Sequence, residues 1–482
     1  MSETDFLAIA PITTVAAFSL IAMLVDAVVK KNTTVMQALS IIGLLAGIGV
    51  AVWTLPQDVS GFNGLVKGGG MSNLFDILFC AAGILTVLLA KEYLERLGGA
   101  FDEFYTLLLM STSGAMLMAH STNFITLFVG LELMSVCFYI LAGFMRRQLR
   151  SNEAAVKYFL LGAFASGFLL YGMALIYGAT TSTGADGILS GMSYTTIVAN
   201  AAGTTMPLLF WAGVALMVVG LAFKVAAFPF HQWAPDVYEG APTVVTGFMS
   251  TAGKAAAFSA FIIFINTIYS SGVEGIDRLQ MVLAILAVGS MFIGNVTAIA
   301  QSNVKRMLAY SSVAHAGYML IGLATGGADG SFGILYYLIA YLFMQIGAFA
   351  IVGILEKEEG RNLTFDDYKG LGKRRPGLAM MMAIFMFSLT GIPPFAGFFG
   401  KYQLFKAAIG ADMTWLAICG VVASVISVWF YLGLVISMFF RDSEEREGTE
   451  PPLSGLSTAA LAIAILGTLV IGFLPQVIYN LL

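Results

Sequence analysis

The chain has 482 residues, of which 59% are hydrophobic and 11% charged, and its formal net charge is −4. Soluble domains carry about 25% charged residues, so this balance excludes a water-soluble fold, and with no basic tract the sequence offers no footing for nucleic acid. Three cysteines, Cys80, Cys137 and Cys419, lie in apolar runs without paired or metal-like spacing. They read as buried packing residues, with no disulfide or iron–sulfur site implied.

In chain order, apolar runs of about 20 residues recur, each matching the roughly 30 Å hydrocarbon core at 1.5 Å per residue, so the spans are helices and not barrel strands. The first, LAIAPITTVAAFSLIAMLV, follows the acidic SETDF and shows no small-residue cleavage site; it is expected to be a retained span and not a signal peptide. Spans are expected at 6–29, 35–54, 72–90, 104–119, 122–144, 154–177, 206–231, 242–268, 279–300, 304–325, 331–355, 377–407, 413–439 and 456–479, fourteen in all. The GGG at 68–70 is expected to be loop. An even number of spans leaves both termini on one side. Loops of one face carry seventeen Lys and Arg, among them Lys30, Lys31, Lys305, Arg306, Lys357, Arg361 and Arg446, while the other carries Lys67, Arg278 and Lys406. The basic face is therefore expected to be cytoplasmic, with both termini on the other side.

Four lysines belong to neither face. Lys157, Lys224, Lys254 and Lys401 fall within spans, as does Glu132 near the centre of LFVGLELMSVCFYIL, counted here as the only acid so placed. An unpaired charge at mid-membrane costs about 2.5–3.5 kcal/mol on insertion scales, so such residues mark function. The alternative is that those near span ends, Lys157 above all, run their ammonium groups out to the interface.

Two spans are interrupted. In GLAFKVAAFPFHQWAPDVYEG (220–240), Pro229 follows Lys224, and in SLTGIPPFAGFFGKYQLFKAA (388–408), Pro393 and Pro394 precede Lys401. Proline removes a helical hydrogen bond and clashes with the preceding turn, and broken helices at membrane depth line cavities and ion pathways. If spans four to eight form one unit and nine to thirteen another, the broken helix is fourth in both. Five is odd, so the second unit enters from the opposite side: an inverted repeat. This divides the chain into 1–100 (helices one to three), 101–270 (first repeat), 271–440 (second repeat) and 441–482 (helix fourteen). Two unrelated proline kinks are the plainer alternative.

Burial disfavours a charged lysine and a neighbouring carboxylate restores it, so moving a partner switches the proton. Glu132, Lys224 and Lys254 belong to one repeat and are expected to meet through water at mid-membrane. His231, seven residues past Lys224, and His315, in YSSVAHAGYMLIG, are natural relays because histidine titrates nearest neutral pH; His120, at a span end, reads as a hydrogen-bonded structural group. There is no GxGxxG, P-loop, HExxH or cysteine cluster. The Met and Phe residues at helical spacing read as packing, and small-residue faces such as LGAFASG (161–167) as close helix contacts.

Four stretches carry a resemblance: FPFHQWAPDVYEGAPTVVTGF (228–248), EAAVKYFLLGAFASGFLLYG (153–172), KRMLAYSSVAHAGYML (305–320) and SLTGIPPFAGFFGKYQLFKA (388–407). Over essentially its whole length the chain resembles the subunit N family of antiporter-like membrane subunits of bacterial NADH:quinone oxidoreductase, respiratory complex I. The PDVYEGAPT wording and Lys401 are more similar to subunit N than to its sister subunits. The resemblance implies an all-α integral membrane fold of fourteen helices with two inverted five-helix repeats. It implies proton translocation through Glu132, Lys224, Lys254 and Lys401, with Lys157 at a further matching position: Glu132 tunes Lys224, Lys254 links two half-channels, and Lys401 passes the proton on. It implies no cofactor on this chain, with NADH, FMN, iron–sulfur clusters and quinone in partner subunits, and the sister antiporter-like and small membrane subunits, with lipid, as neighbours. One departure is Val244, where the family pattern has proline after GAPT. The rival readings are a stand-alone cation/proton antiporter, a structural scaffold, and a membrane subunit of a related hydrogenase complex.

Overall fold

The computed structural model describes residues 2–29, 32–98, 102–181, 191–356, 363–442 and 453–479. Lys30, Lys31, Lys357, Arg361 and Arg446, five of the basic loop residues, lie outside them.

The chain is helical along nearly all its described length. The membrane helices are α1 (Glu3–Val28), α2 (Thr33–Thr54), α3 (Gly70–Arg96), α4 (Glu103–Ala119), α5 (Phe124–Ala142), α6 (Leu149–Thr180), α7 (Pro207–Lys224) with α8 (Trp233–Gly240), α9 (Thr243–Ser270), α10 (Ile276–Ile299), α11 (Val304–Thr325), α12 (Gly327–Leu355), α13 (Pro376–Thr390) with α14 (Ala396–Gly410), α15 (Thr414–Phe440) and α16 (Gly455–Phe473). Twelve of them are long and apolar enough to cross a membrane alone. The 17-residue α4 and the interrupted pair α13–α14 fill the fourth and twelfth places, which completes the fourteen expected spans.

Three elements depart from the sequence expectation. The GGG stretch does not lie wholly in loop: Val59–Gly61 and Val66–Gly68 pair as a two-stranded hairpin, β1 and β2, and Gly70 opens α3. Backbone periodicity of 2 over three residues is too short to register against flanking apolar runs. A short helix, Tyr194–Ala201, precedes α7. Within α9, Met249–Gly253 forms a π-helical turn that ends immediately before Lys254; such turns gather at functional sites and have no composition of their own.

Both proline breaks are present. Helix α7 ends at Lys224, Ala226 has φ +58°, and α8 resumes at Trp233; α13 ends at Thr390, Gly391 has φ +90°, and α14 resumes at Ala396. The backbone thus turns through the left-handed region at both breaks, which glycine does freely and alanine does not. The Trp233 indole donates to the freed Phe223 carbonyl at 2.9 Å, closing the end of α7. Phe228 N donates to Ser290 Oγ on α10 at 2.8 Å, so the first break is docked on the opposite unit.

The helix pairings repeat. Helix α4 packs along α5 and α6 along α7; in the second unit α10 packs along α11 and α12 along α14. At both opening pairs the approach is set by glycine: a Cβ on Gly114 would stand 2.9 Å from the Gly130 carbonyl, and one on Gly294 2.9 Å from the Tyr310 carbonyl. Helices α9 and α11 form the axis, with 94% of their central residues buried in protein. Polar side chains are tolerated there because they meet other side chains and not lipid.

Candidate functional site

Three of the four lysines lie in the protein interior: Lys224 is 8% exposed, Lys254 2% and Lys401 4%. Each is held by hydroxyl or carbonyl oxygen, with no carboxylate at hydrogen-bond distance. Lys224, last residue of α7, donates to Ser135 Oγ at 2.8 Å and Tyr139 Oη at 3.4 Å on α5. Lys254, just past the π turn, donates to the carbonyl and the hydroxyl oxygen of Ser312 on α11, the latter at 2.6 Å. Lys401, on α14, donates to the Thr390 carbonyl at 2.8 Å and Ser424 Oγ at 3.1 Å, with its ammonium 4.3 Å from the Tyr318 ring centroid. It therefore reaches back across its own break to cap α13, whereas Lys224 ends the helix before the break.

The second unit joins these groups. Tyr431 Oη on α15 hydrogen-bonds Ser311 Oγ and, at 2.9 Å, His315 Nε2. His315 Nδ1 meets Tyr337 Oη of α12 at 2.5 Å. Its ring lies 5.8 Å from that of Tyr318, and Tyr318 Oη accepts from Ser424 at 3.2 Å and Asn295 at 3.3 Å. From Lys254 to Lys401, then, hydroxyl and imidazole groups on successive turns of α11 (Ser311, Ser312, His315, Tyr318) form an interior row. One turn beyond Tyr341, whose ring lies 5.7 Å from the Lys254 ammonium, Gln345 is fully buried with neither amide atom partnered by protein. Buried amides are satisfied by ordered water when not by protein.

Several sequence expectations need correction. Lys254 does not join Glu132 and Lys224 in one cluster: although in the first repeat, it is bonded to Ser312 of the second. Phe138, next to Tyr139 on α5, packs its ring on Gly253 and Phe248. Glu132 is half-buried and accepts from Ser166 on α6 at 2.5 Å, one turn before Ser135. Lys157 is no interior group: its side chain is 42% exposed and pairs with Glu153 at 2.7 Å and Asp236 at 3.0 Å. Arg306 bonds the same Asp236 and Glu239, both at 2.7 Å, so Lys157 belongs to a charged cluster around α8. His231 is half-buried beside Phe228, with Nδ1 unpartnered, and makes no contact with Lys224.

Glu132 is not the only acid in a span. Asp76, on α3, is fully buried against His120, Nε2 to Oδ2 2.8 Å, while His120 Nδ1 lies 3.0 Å from the Ala8 carbonyl. Asp76 is the fifth residue of the span expected at 72–90, and the structural bond expected of His120 is the one it makes here. Nor is Lys305 a loop residue: it is 3% exposed in the first turn of α11, donating to the Ala241 carbonyl at 2.7 Å, 3.9 Å from Glu356. Glu356 accepts from Tyr93 at 3.0 Å and Thr243 at 2.7 Å. A lysine one residue inside a span start has no sequence mark that separates it from a loop lysine.

Comparison with known proteins rests on this geometry. The family described as NADH:quinone oxidoreductase/Mrp antiporter, TM, matches residues 121–427. NADH-quinone oxidoreductase subunit N 1 of Chloroherpeton thalassium is 44% identical over 98% of this chain and 97% of its own length. The chain belongs to the subunit N family. Another subunit N, from Trichlorobacter lovleyi, is 45% identical over 93% of this chain and 90% of its own. A chain of respiratory complex I from Thermus thermophilus with bound Aureothin superposes with a TM-score of 0.82 at 33% identity, covering 98% of each. The subunit N fold of fourteen membrane helices thus accounts for the breaks, the buried lysines and the repeated helix pairings together.

Proposed function

We propose that Lys224, Lys254 and Lys401 carry protons through this subunit, with His315 as the relay between the last two. The chain is an antiporter-like, multi-span membrane subunit of the proton-translocating NADH:quinone oxidoreductase of the bacterial inner membrane, working beside other membrane subunits. The observation that carries the proton-path reading is the interior row from Lys254 through Ser312, Ser311, Tyr431 and His315 to Tyr318 and Lys401. Every member gains or shares a proton, and none offers a site for a larger solute.

In this reading Glu132, one turn from Ser135, governs Lys224 from the half-exposed side of α5. Lys224 and Lys254 have no hydrogen-bond partner in common among the described residues, so transfer between them runs through water. Lys157 and Asp236 act at the cytoplasmic mouth, and His231 lies off the path. NADH, FMN, iron–sulfur clusters and quinone belong to partner subunits, and both termini are periplasmic. The units are residues 101–270 and 271–440, flanked by 1–100 and 441–482. Moving one charge across 100 mV costs about 2.3 kcal/mol, which the redox steps elsewhere must supply.

The test is Lys224→Ala in membrane vesicles, following NADH:quinone turnover and proton uptake with assembly checked on a native gel. A fall in pumping with the complex intact supports the path; unaltered pumping overturns it. The family is shared with Mrp antiporters, and uptake that tracks sodium and not protons would favour that second reading.

A further inference from the structure

Beside the first break, residues of α7 and α10 line a cavity of about 630 Å³. Its walls are apolar, with Trp211, Val218, Val282 and Leu286 along the sides and Pro229 and Phe230 at the inner end. The other end reaches Gly275 and Arg278, where α10 begins at the periplasmic surface in the orientation given above. One charged residue, Arg278, lines it, and its exposed guanidinium has no carboxylate partner among the described residues. Two exposed acids, Glu274 and Asp277, flank Arg278 in sequence, and the Trp211 indole donates to the Glu274 carbonyl at 3.1 Å.

We infer that this cleft is a phospholipid site selective for an ethanolamine headgroup: an acyl chain fills the apolar cleft down to the break, the phosphate sits on Arg278, and the ammonium faces Glu274 and Asp277. The walls exclude a polar solute, since a buried polar group without a partner is costly and an alkyl chain is not. Guanidinium pairs with phosphate through two parallel bonds. A purely anionic headgroup would meet two carboxylates beside one cation, and a choline head, having no N–H, cannot donate to them. Tryptophan at such a mouth is the usual marker of the lipid–water boundary.

The placement gives the lipid a task. Its chain lies against the outer side of the residues that break the seventh span, while Phe228 is bonded to Ser290 on the inner side. A filled cleft therefore keeps the break seated on α10, and so keeps Lys224 in register with Ser135.

The experiment uses the intact complex, delipidated and placed in nanodiscs of phosphatidylcholine alone, with phosphatidylethanolamine, or with phosphatidylglycerol. It reads chain and headgroup density at Arg278 by cryo-electron microscopy and bound lipid by mass spectrometry, neither of which depends on pumping. Ordered lipid is expected only with phosphatidylethanolamine. Arg278→Gln should weaken retention about tenfold, the loss of one charge-assisted contact, and Val219→Trp, which narrows the cleft from its rim, should lower occupancy as well. Equal occupancy in all three membranes, preference for phosphatidylglycerol, or a helix of a neighbouring subunit seated in the cleft would each overturn the assignment.

Discussion

The Lys254 ammonium donates to both the carbonyl and the hydroxyl oxygen of Ser312, so a lysine from the first five-helix unit is held by a serine of the second. The two repeats thus meet through a side-chain contact at the axis of the bundle, beside a π turn. If Lys254 serves by exchanging its proton, Lys254→Arg keeps the charge but cannot release it, because guanidinium stays protonated in proteins. We expect the complex to assemble with Lys254→Arg while proton uptake in vesicles falls by about 10²-fold, the scale of a lost proton-transfer group. Normal uptake with arginine there would make the lysine a fixed charge and not a carrier.

Tyr431 is the single hydroxyl shared by Ser311 and His315. Tyr431→Phe keeps the ring and its packing but leaves Ser311 Oγ and His315 Nε2 without their partner in a buried place, at about 1–3 kcal/mol. Proton uptake per NADH should drop while the amount of assembled complex changes little. His315→Leu should act more strongly in the same direction, and a normal proton-to-electron ratio in both would remove His315 from the path.

The spans, the two breaks and the interior lysines were legible because each departs from its surroundings in one residue: a proline or a charge in twenty apolar positions. What was not legible depends on where a face points. Glu132, Ser135 and Tyr139 share one face of α5, whereas Lys254 turns from its own repeat to Ser312, since which neighbour a face meets is fixed by packing. Lys157 and Lys305 show the converse. The one read as interior is exposed in a charged cluster, and the one read as loop is sealed beneath Glu356, because a single residue of helix start separates water from protein at that depth. The resemblance to subunit N supplied the identities that periodicity alone leaves open.

Lys305 and Glu356 join three parts of the chain: Glu356 accepts from Tyr93 of α3 and Thr243 of α9, while Lys305 donates to the Ala241 carbonyl. Removing one partner of a buried pair is costly because the other charge stays behind, about 3–5 kcal/mol. Glu356→Leu should therefore destabilise the complex more than Lys305→Met, since it strips the acceptor from Tyr93 and Thr243 as well. Thermal melting of the purified complex reads this directly. Equal melting of Glu356→Leu and the parent would show that the junction does not hold the three parts together.

His120, at the end of α4, ties the first helix of the first repeat to α1 and α3, which lie outside both repeats. A carbonyl only accepts, so the bond to Ala8 requires a proton on Nδ1. Nε2 and Asp76 Oδ2 then share one further proton across 2.8 Å, and the pair is neutral overall wherever that proton rests. Neutrality is what lets it persist fully buried, since an isolated charge there would be heavily penalised. Asp76→Asn keeps a donor facing a neutral imidazole and should be tolerated within about 1 kcal/mol, whereas Asp76→Leu leaves Nε2 unpaired and should cost about 1–3 kcal/mol. Native-gel yield and melting of the complex should fall for leucine and hold for asparagine. If asparagine is as damaging as leucine, the shared proton itself matters, and the pair would have to be counted among the titrating groups of the subunit.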